Sequence, residues 1–230
     1  MPDAIGPTAF PAMKAAPRAP AAELHGGCLF ADCPDLPGTP FAYLREEEVH
    51  GEGEAAEFVY RVLDGGVRTH RVLSDGRRQI TGFHLPGDLF GFEQGRTHRH
   101  TAEALCEVRV LIFKRRQIER VAAQRVDVAC RLWGVATDSL RLAEDLVLLL
   151  GRRSALERVA AFLLEIDRRL GRPGHFDLPM TRRDIADYLG LTLETVSRTV
   201  SQLESERALL RSGTRSVTLQ RGRLQRLVEA

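Results

Sequence analysis

Short runs of alternating apolar and polar residues fill the middle of the chain's first half, and glycine-containing turns separate them. Such strands at short, regular spacing are typical of a β-sandwich or barrel. We therefore predict a β-domain over residues 41–115, after a Pro-, Ala- and Gly-rich segment of residues 1–40 that we expect to form a flexible arm. The predicted strands lie within residues 58–63, 67–73, 79–85, 89–92, 101–104 and 108–113.

A proline-free stretch over residues 116–150 shows helical spacing with two neighbouring apolar stripes. One stripe steps alternately by four and three residues from Ala122 to Leu150, which is the heptad spacing of a coiled coil. Two stripes need two partners, so we expect one to pack on the β-domain and the heptad stripe to pair with a second copy. The alternative is a single buried helix within a monomer. The predicted dimer contacts are Trp133, Ala136, Leu140, Ala143, Val147 and Leu150.

Residues 151–230 read as helices followed by a short hairpin, and their central part predicts a helix-turn-helix with a wing. Thr181 and Asp184 have the spacing of a capping box at the start of one short helix. Gly190 is suited to the left-handed turn that ends this helix, and Thr192 is suited to cap the next one. Val196, Val200 and Leu203 would bury the inner face of that second helix.

The outer face of the second helix carries groups that read DNA. Glu194, Ser197 and Arg198 lie near its N-terminus, the end that enters a major groove. Arg can donate two hydrogen bonds to guanine, and Glu can accept one from cytosine. The alternative is a polar, solvated helix in an unrelated bundle. We predict double-stranded DNA as the partner, with phosphate contacts from Thr181, Arg182, Arg183, Thr195 and Arg215.

Composition fits this picture and excludes several other classes. The 230 residues are 43% hydrophobic and 28% charged, which excludes a disordered or collagen-like chain. No apolar run is long enough to span a membrane, and we see no signal peptide, so we expect a soluble cytoplasmic protein. Residues 1–113 hold 11 basic and 16 acidic side chains, whereas residues 114–230 hold 22 and 15. A basic C-terminal half is consistent with a polyanionic partner.

The sequence from Arg183 to Arg198 resembles the helix-turn-helix signature of CRP/FNR-type transcription regulators, and Glu194-Thr-Val-Ser-Arg198 resembles its FNR and FixK branches. Residues 84–93 and 148–162 also resemble the family's β-roll turn and the hinge after its long helix. The resemblance implies an α+β fold with a cyclic-nucleotide-binding-like β-roll (residues 41–115), a dimerisation helix (116–150) and a winged helix-turn-helix (151–230).

The resemblance also implies individual roles and a target. Arg198 would read guanine, Glu194 the opposing cytosine, Ser197 the thymine positions and Leu193 a thymine methyl group. A dimer would then prefer a TTGAT-N4-ATCAA-like palindrome and act with RNA polymerase, most often as an activator. Arg207 departs from the family pattern, which has Gly at the end of this helix; a left-handed Arg costs about 1 kcal/mol.

Three hypotheses about the signal stay open. Cyclic-nucleotide binding would need a Gly-Glu pair and a later Arg-Ser or Arg-Thr, but Phe92 interrupts Gly91 and Glu93, and Arg96-Thr97 follows after only two further residues. An FNR-type iron–sulfur cluster would need four thiolates. FixK-type members use neither cofactor, are controlled by the amount of protein made, and activate genes of microoxic respiration or nitrogen fixation. We favour this third reading and expect no small-molecule ligand, leaving Cys28, Cys33, Cys106 and Cys130 as candidate redox thiols.

A further alternative is a cupin-like metalloenzyme. His98, His100 and Glu103 have a spacing that resembles part of a cupin metal site, and His84 is an isolated additional candidate. Because two histidines near a loop are more often solvated or packed than metal-bound, we predict that the chain is not an enzyme and holds no metal.

Overall fold

The computed structural model describes residues 33, 35–93, 95–152, 154–171, 174–213 and 215–229. Its N-terminal half consists of strands. Most of them coincide with the alternating runs of the sequence, and two short strands, β1 and β2, precede these runs. The strands are β1 (Thr39–Tyr43), β2 (Glu48–His50), β3 (Phe58–Asp64), β4 (Val67–Val72), β5 (Arg78–His84), β6 (Leu89–Phe90), β7 (Thr101–Ala104) and β8 (Val108–Lys114).

These eight strands form two antiparallel four-stranded sheets, here called the β-roll. One sheet has the order β1-β8-β3-β6 and the other β2-β7-β4-β5. A single core lies between them, with Tyr60 and Val62 from the first sheet and Val67 and Ala102 from the second. The opposite face of the first sheet is also buried, which explains why β3 and β8 are apolar at nearly every position.

Two helices cover this opposite face, where the sequence predicted one. They are α1 (Arg115–Gln124) and α2 (Val126–Arg152). The break falls at Arg125, whose backbone is extended with φ −124° and ψ 106°. Its guanidinium donates to Asp127 at 2.7 and 3.1 Å and to Cys33 Sγ at 3.3 Å. Periodicity did not reveal the break, because the apolar spacing continues through it.

The start of the described chain is packed rather than free. Cys33 and Leu36 are buried in a cluster with Ile118 of α1 and Val128 of α2. The expected flexible arm therefore does not extend as far as residue 40, because these apolar side chains cover the junction of the two helices. Residues 1–32, and with them Cys28, lie outside the described residues.

The C-terminal half has the predicted order of elements. Helix α3 (Ala155–Leu170) is followed by α4 (Arg182–Leu189) and α5 (Leu193–Ser205), which form the helix-turn-helix. The wing has three strands rather than two, since a strand before α4 pairs with the hairpin. A last helix was not predicted. These additional elements are β9 (His175–Asp177), β10 (Leu209–Arg211), β11 (Ser216–Leu219) and α6 (Arg221–Glu229).

The two halves share one hydrophobic core. Ile80, Phe83 and Leu85 from β5 and the residues just after it pack in the same cluster as Leu189 of α4 and Val196 of α5. The helix-turn-helix is thus seated on the second sheet of the β-roll. Within the described part of the chain, no helix is long and apolar enough to cross a membrane.

Candidate nucleic-acid interface

Side-chain caps and a left-handed glycine define the helix-turn-helix, as the sequence predicted. The Thr181 hydroxyl accepts from Asp184 N at 3.1 Å, and Asp184 Oδ2 accepts from Thr181 N at 2.9 Å, which completes a capping box. Gly190 ends α4 with φ 62°. Thr192 Oγ1 accepts from Thr195 N at 3.1 Å and caps α5. Local bonds therefore fix both helix starts and the turn between them.

The predicted base-reading residues lie together on the first turns of α5. Leu193, Glu194 and Arg198 are exposed, and Ser197 is half-buried. Val196 and Val200 point the other way into the core. The exposed face therefore begins at the N-terminus of α5, as required for a helix that inserts into a major groove.

Glu194 is held as a carboxylate at this helix end. Hydrogen bonds from its own backbone N–H and from the Thr192 side chain lower the pKa of Glu194, and the nearby guanidinium groups of Arg183 and Arg198 act in the same direction. An ionised carboxylate accepts hydrogen bonds but donates none. This state suits a partner with an amino group, such as cytosine N4.

The predicted phosphate-contacting residues surround this face. Arg183 is exposed, whereas Thr181, Arg182 and Arg215 are half-buried. Thr195 is half-buried too, and its hydroxyl lies 3.0 Å from that of Thr192, so it already belongs to the cap of α5. Among the described residues, no carboxylate lies within ion-pairing distance of Arg182, Arg183, Arg198 or Arg215. Their charges are available to an anionic partner.

The heptad stripe of α2 faces away from the chain's own core. Trp133, Leu140 and Val147 are 73%, 59% and 69% exposed. Ala136 and Ala143 are exposed between them, and Leu150 is half-buried at the end of the stripe. The neighbouring stripe is less exposed: Val128 is fully buried, and Leu132 and Val135 are partly buried in the cluster under α1 and α2. An apolar face of this length on a water-exposed helix is typical of an interaction surface.

Side-chain rings fill the interior of the β-roll where the family resemblance would place a cyclic nucleotide. The rings of Tyr60 and His84 both stack on Phe90, with centroid distances of 5.0 and 4.8 Å. Glu93 Oε1 accepts from Arg99 N at 3.2 Å. Arg96 and Thr97 are exposed beside an isolated backbone bridge to Ala55. The Arg96-Thr97 pair, which in the family resemblance would grip the nucleotide phosphate, is therefore exposed to solvent.

Cysteine and histidine residues do not assemble into a metal site in the described part of the chain, where no group of three or more His, Cys, Asp or Glu could hold a metal ion. Cys33 is buried beneath α1 and α2, Cys106 is half-buried after β7, and Cys130 is exposed on α2. Of the cupin-like set, His98 is buried against His50, and Glu103 binds Arg68 at 2.7 Å.

Three arginines that the sequence analysis did not single out link the helix-turn-helix to the rest of the molecule. Arg68 and Arg78 of the β-roll bind Asp184 of α4. Arg158 of α3 donates to Leu150 O at the end of α2 at 2.8 Å and to Leu189 O at the end of α4 at 3.2 Å. In the sequence, the only available signal was that these arginines stand in or beside apolar runs.

Comparison with known families matches both halves of the chain. Residues 40–125 match a cyclic nucleotide-binding domain, and residues 157–227 match a Crp-like helix-turn-helix domain. The first match covers the β-roll and the second covers the exposed face of α5.

Individual relatives agree with both matches. The chain is 43% identical to the nitrogen fixation regulation protein FixK of Azorhizobium caulinodans over 83% of this chain and 79% of that protein. It is 36% identical to the transcriptional activator protein FnrL of Cereibacter sphaeroides over 76% and 74%. Among solved structures, FixK2 from Bradyrhizobium japonicum is similar with a TM-score of 0.81 and 54% identity, covering 85% of this chain and 99% of that one.

Proposed function

This chain belongs to the CRP/FNR family of DNA-binding transcription regulators, in its FixK-type branch, and on that premise we propose that it is a dimeric activator reading a TTGAT-N4-ATCAA-like palindrome. The observation that carries the proposal is the first turn of α5. There Arg198, which has no ion-pair partner among the described residues, and an ionised Glu194 are exposed, next to Leu193 and Ser197. These groups match the edges of a G·C pair flanked by thymines.

The dimer in this proposal forms through the heptad stripe of α2. A second copy would cover Trp133, Leu140 and Val147, which the β-roll leaves exposed. The small residues between them, Ala136 and Ala143, allow the two helices to approach closely. A two-fold axis along this stripe would present two recognition helices to half-sites about one DNA turn apart.

The proposed regulator works without a cyclic nucleotide or an iron–sulfur cluster. The ring-filled interior of the β-roll and the solvent-facing Arg96 and Thr97 support the first part. The separate surroundings of Cys33, Cys106 and Cys130 support the second. Relatives named as nitrogen fixation regulators and transcriptional activators support a role as an activator at promoters for nitrogen fixation. Genes of microoxic respiration and RNA polymerase as the second partner enter the proposal through the family resemblance alone.

A gel shift on a duplex of ~30 base pairs that carries the palindrome tests the proposal. Protein purified without oxygen is assayed as it is, after exposure to air, and with cyclic AMP. Equal binding in all three conditions is expected. Loss of binding in air would point to a cluster or thiol sensor, and binding only with the nucleotide would point to a ligand-dependent regulator. Absence of binding to this palindrome in every condition would overturn the proposed target.

A further inference from the structure

A buried carboxylate joins the DNA-binding half to the β-roll. Asp184 is 1% exposed, and its Oδ1 atom accepts from Arg68 Nη1 at 2.9 Å and from Arg78 Nη2 at 2.7 Å. Arg68 lies on β4 and Arg78 on β5. Both arginines thus reach from the sheet to the first turn of α4.

The second oxygen of the Asp184 carboxylate belongs to the capping box at the N-terminus of α4. Asp184 Oδ2 accepts from Thr181 N at 2.9 Å and from Thr181 Oγ1 at 2.7 Å. Hydrogen bonds from Thr181 and the charges of Arg68 and Arg78 lower the pKa of Asp184 despite the opposing effect of burial. Arg68 and Arg78 therefore bind the same buried carboxylate that caps the N-terminus of α4.

Further contacts hold both arginines in place. Glu103 Oε2 accepts from Arg68 at 2.7 and 3.0 Å. Asp187, one turn along α4, accepts from Arg78 Nε at 2.9 Å. The chain of contacts from Glu103 to Asp187 is largely shielded from water, since the Arg68 side chain is 8% exposed and that of Arg78 25%. Removing one member would leave an uncompensated charge at the contact between the two halves.

The orientation of α4 determines that of the recognition helix. Both α4 and α5 bury their inner faces in the core they share with β5, so they move together. Arg158 fixes the far end of α4 to the end of α2. With α2 as the proposed dimer helix, the tilt of α5 against the two-fold axis is fixed at both ends of α4.

We propose that Arg68 and Arg78, two residues of the β-roll, are positioning residues for DNA reading: through Asp184 they set the angle of the recognition helix and with it the half-site spacing that a dimer accepts. The inference rests on the proposed function, because spacing has meaning only for a dimer on a palindrome. Neither arginine lies on the exposed face of α5, so they act without touching the bases.

The test compares Arg78→Ala with Arg77→Ala in the full chain. Arg77 is the preceding residue, and its side chain pairs with Asp75 on the exposed turn, so the control removes the same charge without touching α4. Affinity is measured by fluorescence anisotropy on duplexes whose half-sites are separated by three, four or five base pairs. Circular dichroism melting confirms that each variant is folded.

We expect Arg78→Ala to bind the four-base-pair spacing about tenfold more weakly, with little change on the other two, so that the preference for one spacing is lost. Arg77→Ala should keep the wild-type preference. Arg78→Lys, which keeps the charge but reaches only one carboxylate at a time, should give a spacing preference between those of the wild type and Arg78→Ala. Equal spacing preference in Arg78→Ala and Arg77→Ala would overturn the proposal.

Hydrogen exchange separates this inference from the proposed function. Amides of α4 and of the β4–β5 sheet should exchange faster in Arg78→Ala than in Arg77→Ala, whether or not DNA is bound. If the wild-type chain binds none of the duplexes but shows this difference, the proposed target fails and the coupling of the two halves stands. If exchange in α4 is the same in both variants, the positioning role fails, whatever the wild-type chain binds.

Discussion

His50 and His98 lie with their rings stacked inside the β-roll, 3.6 Å apart between centroids and inclined by 15°. Both residues are buried, and both nitrogens of His50 and Nδ1 of His98 have no hydrogen-bond partner among the described residues. Burial lowers the pKa of His50 to about 3, and the neighbouring His98, His84 and His100 act in the same direction. His98 Nδ1 lies 3.8 Å from Glu93 Oε1, but burial also lowers the pKa of His98, so the neutral form of both rings is favoured.

Acidification should therefore destabilise the fold. Between pH 6.5 and pH 3 the imidazole of His50 is protonated in the unfolded chain but neutral in the folded chain. The free energy of unfolding therefore falls as the pH falls. His50 alone contributes a loss of about 2 kcal/mol at pH 5. His50→Phe, which places a ring beside Tyr60 and Phe90, should reduce the drop measured by urea unfolding at pH 7.5 and 5. His175 is exposed, and His175→Asn is the control, which should leave the fall in unfolding free energy unchanged. An equal fall in both variants would show that His50 does not cause it.

Arg198→Ala should weaken binding to the TTGA half-site and relax the preference for its guanine. A bidentate contact between Arg and guanine is worth about 1–3 kcal/mol. Competition between duplexes that differ only at this base pair measures both effects. Unchanged affinity and preference would mean that α5 does not read this position.

Arg183→Ala should weaken binding on every sequence alike. Its exposed guanidinium has no carboxylate partner among the described residues, and we expect it to contact a phosphate. The slope of log affinity against log salt should then fall by about one, with the guanine preference intact. A change in base preference with the salt slope preserved would instead move Arg183 into the group of base-reading residues.

Leu140→Glu should split the dimer, because it places a charge in the centre of the apolar stripe on α2. Light scattering after size exclusion gives the mass directly. Arg141→Glu is the control, since it also introduces a glutamate, one residue further on, on the face that carries Asp138 and Asp145. A dimer that survives Leu140→Glu but not Arg141→Glu would place the interface on that other face.

Arg207→Gly should raise stability slightly without affecting DNA binding. Arg207 has φ 55°, a left-handed conformation that costs a non-glycine residue about 1 kcal/mol. Part of the gain is offset by the greater freedom of glycine in the unfolded chain. Thermal melting measures the change. Gly190→Ala, at φ 62°, is the reverse substitution and should lower the melting temperature.

Local signals in the sequence predicted most of the architecture. Alternation and glycine turns located β3, β4 and β5, and the caps at Thr181 and Thr192 located α4 and α5. These elements are specified by residues a few positions apart. Family resemblance added the arrangement of the domains, which no local pattern contains.

Features that depend on distant residues escaped the sequence analysis. Arg68 and Asp184 are 116 positions apart, and nothing in either neighbourhood indicates that they bind each other. The break at Arg125 is stabilised partly by Cys33, 92 positions earlier. β9 becomes a strand only by pairing with β11. Long-range contacts of this kind appear only when the fold is known.

The shared carboxylate of Asp184 bears on any attempt to exchange DNA-binding specificity between regulators. A chimera joined at the α2–α3 boundary would carry α4 and α5 onto a foreign sheet. There Asp184 would meet whatever side chains stand at the positions of Arg68 and Arg78, and Tyr188 of α4 would lose its contact with the ring of Phe83. Transplanting these three residues together with the helix-turn-helix would keep the graft oriented, so the functional unit of exchange includes part of the β-roll.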